Sequence, residues 1–279
     1  MPKNNGITPT EIFLNAPLYK KNAKKVAREV EDFNSTLDMY CLMCRKDSVF
    51  KRYGYEPRPT AASAPPMTTG RGSIIYLKPE LPLPRTFSVE FECSRDKNHR
   101  AIFIFRLDEK SFVKFGEFPS RADRQYPEIR RFERELGRYY EELKTALHLY
   151  THNIGIGSFI YLRRVLEKVV NDAAVCKYSN QAGWSLEEWK KGMRRFDDEI
   201  KDLADELPKF LVKNQVLYKI LSKGIHELDE KECQDYFEIV RSAIEEILDE
   251  RMSRDEKEKR QSLVSSKLSQ IQSNLRKEH

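Results

Sequence analysis

The sequence predicts an α+β chain, a small antiparallel β domain followed by an all-α helical bundle, and three observations carry that reading. Four short runs between residues 36 and 107, TLDMYC, SVFKRYGY, RTFSVEFEC and RAIFIFRL, are rich in β-branched and aromatic residues. The third alternates Phe87, Val89 and Phe91 with Ser88, Glu90 and Glu92, the period of a strand with one buried face. From Pro127 onward apolar residues recur at intervals of three and four, the period of amphipathic helices.

Taken in order, residues 1–35 read as a separate helical segment, with Thr10 as N-cap and Val26, Val30 and Phe33 as its apolar stripe. The β domain occupies 36–118 and contains a Pro-rich loop at 54–85, where YEPRPTAASAPPMTTGRG favours irregular backbone. The stretch KFGEFPSRADRQYP ends the strands and begins the bundle, which runs over 119–250. Ser185 with Glu188 and Asp229 with Glu232 fit capping boxes, and Pro208 suits a first helical turn. In the last bundle helix Cys233, Tyr236, Phe237, Val240, Ile244, Ile247 and Leu248 trace one face. Residues 251–279 form a basic amphipathic helix with Val264, Leu268, Ile271 and Leu275 at coiled-coil spacing, a surface for a homodimer or for a protein partner.

Composition narrows the function. The chain is 39% hydrophobic and 34% charged, and no run of about 18 apolar residues exists, so no membrane association is expected. The opening MPKNNGITPTEIF lacks the apolar core of a signal peptide, which makes the cytoplasm the expected location. A net charge of +6, from 50 basic and 44 acidic residues, permits binding to RNA or DNA without demanding it.

Five cysteines in such a chain point to metal binding or free thiols rather than disulfides. Cys41-Leu-Met-Cys44 follows one strand, and Cys93 and His99 lie between two others. Two thiolates two residues apart chelate one ion, and a second pair from a neighbouring hairpin completes a tetrahedron. The pattern is that of a zinc-ribbon-like domain with Cys41, Cys44, Cys93 and His99 as ligands of a structural Zn(2+) ion, since four protein ligands leave no position for water. The alternative is two buried thiols and an exposed imidazole. Cys176 and Cys233 fall on apolar helical faces and read as buried packing residues. His148 and His152, four apart, lack a third ligand nearby and read as a chance pair.

Arg130, Arg131, Arg134 and Arg138, which follow Arg121 and Arg124, are interleaved with acids. They form either a solvated helix face with internal ion pairs or a stripe that binds nucleic-acid phosphates. Gly224 reads as a left-handed helix end, and His226 beside it as either a C-terminal cap or a working imidazole.

The segments VKFGEFPS, GIGSFIYLRRVLEKVV and LYKILSKGIHELDEKECQDYF together resemble an uncharacterised bacterial family in which a zinc-ribbon-like part precedes a helical domain. That domain resembles a divergent HEPN bundle, the type found in many prokaryotic toxins and antiphage effectors. The resemblance covers roughly residues 85–250. It implies a nucleic-acid-directed protein with an antiviral-defence or toxin-type role, and usually a homodimer. Catalytic HEPN members are metal-independent ribonucleases that pair an Arg with a His, four to six residues intervening between the two. In this chain His226 stands for the histidine, and Lys219 holds the arginine's spacing with a different head group, which neutralises a phosphate without gripping it bidentately. Arg163 and Glu167, four apart on the Arg-Arg-x-x-Glu helix, then orient the imidazole or pair with each other. The expectation is binding to nucleic acid, with ribonuclease activity through His226 and a non-catalytic dimeric adaptor as the alternatives.

Overall fold

A computed structural model describes residues 7–55, 67–68, 74–75, 82–193 and 195–275. The chain forms two compact units: residues 1–127 with 151–153, and residues 128–150 with 154–279. The α+β class is what the structure shows.

Among its described residues the first unit holds a six-stranded antiparallel sheet, two helices near its start and most of a third that begins at Arg121. Its strands are β1 (Lys21–Asn22), β2 (Leu37–Cys41), β3 (Lys46–Tyr53), β6 (Arg85–Cys93), β7 (Arg100–Leu107) and β8 (Phe112–Phe118), in the order β1-β8-β7-β6-β3-β2. Two further short strands, β4 (Met67–Thr68) and β5 (Ile74–Ile75), pair with each other. Most of the predicted loop at 54–85 lies outside the described residues. Alternation holds in β6 and β7, where Val89, Phe91, Cys93, Ala101, Phe103, Phe105 and Leu107 are buried.

The described part of the predicted N-terminal segment, residues 7–35, packs into the sheet's core. They form α1 (Pro9–Leu14) and α2 (Lys24–Glu31), and Ile12, Phe13, Val26, Ala27 and Val30 enter the core of the sheet. Phe13 sits among Phe33, Phe91, Phe103 and Phe105, with ring centroids 5.2, 5.2, 5.1 and 5.7 Å away. Truncating such a ring to Ala costs about 3–5 kcal/mol. The cap of α1 is Thr8 rather than Thr10: its hydroxyl accepts from Glu11 N, and Glu11 returns the bond to Thr8 N. Pro9 at the first helical position sets that start.

The turn out of β8 is held by buried charge. Lys114, fully buried, donates to Glu117 Oε2 (2.8 Å) and to the carbonyl of Phe13 (3.1 Å). Arg121 and Arg124, on α3 (Arg121–Ile129), donate to the carbonyls of Asn15 (2.7 Å) and Leu14 (3.2 Å). The open C-terminal carbonyls of α1 thus receive three cations, the charge that a helix C-terminus favours. Burial pushes the Lys114 ammonium down to about 8 against the pull of Glu117. Arg121 and Arg124 are therefore buried structural residues, not part of a surface run.

The helical pattern that runs on from Pro127 is broken in the structure. After α3 come a 3-10 turn (Arg130–Phe132), α4 (Glu133–Leu136), a second 3-10 turn (Gly137–Tyr139) and α5 (Tyr140–Thr151), and Gly137, at φ 54°, takes a backbone conformation that ends α4. His152 falls just past the end of α5.

The rest of the second unit comprises α6 (Gly155–Tyr178), α7 (Leu186–Gly192), α8 (Phe196–Asp202), α9 (Lys209–Lys213), α10 (Val216–His226) and α11 (Glu230–Leu275). The last is one continuous helix of 46 residues where two were expected. Its predicted core face is buried at Cys233, Phe237, Val240, Ile244, Ile247 and Leu248, while Tyr236 is exposed. The expected box forms at Asp229 and Glu232, which exchange bonds of 2.8 and 3.0 Å, while at Ser185 the half of it in which Oγ accepts from Glu188 N (3.2 Å) is present. Two α11 glutamates cap other helices. Glu230 accepts from Gly155 N and from Ile156 N (3.2 Å) at the start of α6, and Glu250 from Lys209 N (2.8 Å) and Phe210 N (2.9 Å) at the start of α9. No helix among the described residues is long and apolar enough to cross a membrane.

Gly224 does not end a helix. It lies inside α10, buried, because α6 passes so close that an added Cβ would come 2.8 Å from Phe159 Cε2 and closer still to Cδ2. Glycine is demanded here by this close approach rather than by a left-handed turn.

Candidate metal centre

The two pairs of donors meet because two hairpins end side by side. Cys41 closes β2, and residues 42–45 turn back into β3 with Arg45 at φ 54°. Cys93 closes β6, and His99 precedes β7. The ladder between β3 and β6 sets Phe50 opposite Cys93, and Ser94 N donates to the carbonyl of Val49 (2.8 Å), so both turns share one end of the sheet.

There Cys41, Cys44, Cys93 and His99 bring three sulfurs and one ring nitrogen within 4.8 Å of one another. Cys44 Sγ is 3.9 Å from Cys93 Sγ and 3.2 Å from His99 Nδ1, and Cys41 Sγ is 3.6 Å from the same nitrogen. Ordinary zinc bond lengths give tetrahedral edges of about 3.8 Å between sulfurs and about 3.6 Å between sulfur and nitrogen. The arrangement fits a metal ion such as zinc.

The surroundings prepare the donors. Cys44 N lies 3.5 Å from Cys41 Sγ as a donor, and the Ser48 hydroxyl lies 3.0 Å from Cys93 Sγ. Burial acts to raise the Cys93 thiol, but Ser48 and the backbone amides of Asp96 and Arg95 outweigh it and bring the group down to about 6. Burial pushes Cys44 up to about 11, reinforced by hydrogen bonds to, and charge on, Cys41 and Cys93. Three sulfurs this close ionise together only around a cation. Asp96 organises the imidazole: its Oδ2 is 3.4 Å from His99 Nε2, its carbonyl accepts from His99 N (3.0 Å) and its Oδ1 from Asn98 N (2.9 Å). A carboxylate on the outer nitrogen directs the inner one to a metal.

Of the other predicted residues, Arg163 and Glu167 pair with each other rather than with His226. Arg163 Nε donates to Glu167 Oε1 (2.8 Å) and its NH2 to the Tyr218 hydroxyl (2.7 Å), which itself lies 3.4 Å from Glu167. Tyr218 stacks on Phe196 at 3.6 Å. Sequence reasoning passed over Tyr218, whose only signal is a polar tip on the apolar face of α10. Lys219 pairs with Asp197 at 3.0 Å. His226, exposed at the last position of α10, lies about 12 Å along the helix from Tyr218, and its imidazole has no hydrogen bond or ion pair among the described residues.

Arg130, Arg131, Arg134 and Arg138 are exposed, but the breaks around α4 deny them a single helix face. Arg131 is engaged with Asp249 (2.8 Å). Cys233 is buried as expected, whereas Cys176 is exposed. No family model, curated protein or solved structure matches the chain.

Proposed function

We propose that Cys41, Cys44, Cys93 and His99 hold one structural zinc ion in a zinc-ribbon-like site, and that the loop surface it fixes binds nucleic acid. The convergence of four donors from two hairpins carries this reading. A closed four-ligand site leaves no open position for catalysis. The same two loops expose Arg45 and Lys46 on one side and Arg95 and Lys97 on the other, with Met43 47% exposed beside them. Cations on a rigid frame suit a phosphate backbone, and an exposed Met adds an adaptable, polarizable apolar contact. The helical unit is taken as HEPN-like on the motifs that resemble that superfamily, with a cytoplasmic role in antiphage defence or as a toxin-type component. Binding is favoured over ribonuclease chemistry because the His226 imidazole has no cationic partner among the described residues and Lys219 is held by Asp197.

Protein purified without added metal is expected to carry one equivalent of zinc by elemental analysis; well under one equivalent removes the proposal's first half. Fluorescence anisotropy with single-stranded RNA and DNA should show affinity falling steeply from about 50 to about 200 mM salt. Replacing Arg45, Lys46, Arg95 and Lys97 by Ala should weaken it at least about tenfold with zinc retained. Absence of binding at the lowest salt removes the second half alone.

A further inference from the structure

From Glu256 to Ser273 every residue of α11 is exposed, including Leu263, Val264, Leu268 and Ile271, which keep 57, 50, 60 and 55% of their surface free. This stretch is a poor helix on its own. Residues 261–275 contain five serines and an asparagine, weak helix formers, and isolated helices of about 15 residues are marginal even in favourable sequences. Burial of the apolar seam must supply the difference.

We propose that a second copy of the same helix covers that seam, parallel and in register. Val264, Leu268, Ile271 and Leu275 follow the four-three-four spacing of a heptad, with Val264 and Ile271 at d and Leu268 and Leu275 at a. The preceding core positions are Gln261, Lys257 and Arg254, so the apolar contact begins only in the exposed stretch. Flanking charge chooses the occupant. Lys267 is the sole charged residue between 261 and 275, so nothing here selects an acidic helix or an anionic membrane. In a parallel pair its g position faces Gln272, and Arg260 faces Ser265, without like-charge contact. An antiparallel pair centred on Leu268 would set the lysine against its own copy. Leu at a with Ile at d also favours assemblies beyond two strands, so a mass of two or more copies is expected.

The test is sedimentation velocity on the full chain from about 5 to about 200 µM, where mass action drives assembly. The wild type should shift with concentration to two copies or more, and Leu268→Asp with Ile271→Asp should remain at one copy with its metal content unchanged. In a Cys176→Ser background, Leu268→Cys should cross-link to itself on oxidation, and Ser266→Cys, on the opposite face, should not. A wild type that stays single throughout, an assembly indifferent to the Asp pair, or equal cross-linking at 266 and 268 overturns the proposal.

Discussion

The end of the sheet that carries Cys41, Cys44, Cys93 and His99 and the junction of α6 with α10 are both close-packed, for opposite reasons. The first brings polarizable donors together at 3.2 to 3.9 Å around a point that calls for a cation. The second brings backbone against ring, with Gly224 under Phe159. One is held by directed bonds and the other by the absence of a side chain. Substitutions should therefore act on them through different quantities: metal content at the sheet end, volume at the helix junction.

Cys41→Ala should have the largest effect. Bound zinc should fall from one equivalent to nearly none, and thermal unfolding should report a loss of about 4 kcal/mol or more, because structural zinc affinity is folding free energy. The sheet core, with its phenylalanines, should survive chelation, so circular dichroism is expected to show a loosened unit rather than an unfolded one. A smaller core was expected from sequence, where α1 and α2 were not assigned to it. Gly224→Ala comes next, and its sign decides. A glycine tolerated in mid-helix gains about 1 kcal/mol on becoming alanine; one demanded by contact loses about 1–3 kcal/mol through overpacking. Urea denaturation should show the loss.

Asp96→Asn should lower zinc affinity about 10- to 100-fold in competition with a chelating dye, leaving the stoichiometry at saturation unchanged. Tyr218→Phe should cost about 1 kcal/mol, the scale of a hydrogen bond to half-exposed charged groups. His226→Ala should stay within about 0.5 kcal/mol. A larger loss on replacing His226 than on replacing Tyr218 would reverse the ranking of those two positions.

The same contrast explains what the sequence revealed. Ligands announce themselves, because a metal needs particular atoms: Cys-x-x-Cys and a later Cys and His were legible from type and spacing. The α11 core face and the Asp229–Glu232 cap were legible because periodicity and capping are local. Strand β8 was not, since FVKFGEF places the fully buried Lys114 at a core position and hides the alternation. Gly224 was misread because a glycine's letter is the same whether a turn or a neighbour requires it. Gly137 escaped notice within an otherwise continuous helical pattern, and with it the separation of Arg130 and Arg131 from Arg138. Cys176 was assigned to the interior on periodicity alone.

Glu230 and Glu250 lie 20 residues apart on α11 and each closes the first turn of a different helix. That spacing is a ruler about 30 Å long, graduated in steps of about 1.5 Å and about 100°. Conservative substitutions between the two marks leave the graduation intact. Insertion or deletion of a single residue does not, because it rotates one carboxylate away from its amides while the other stays seated. The middle of α11 should thus accept changes of letter far more readily than changes of length.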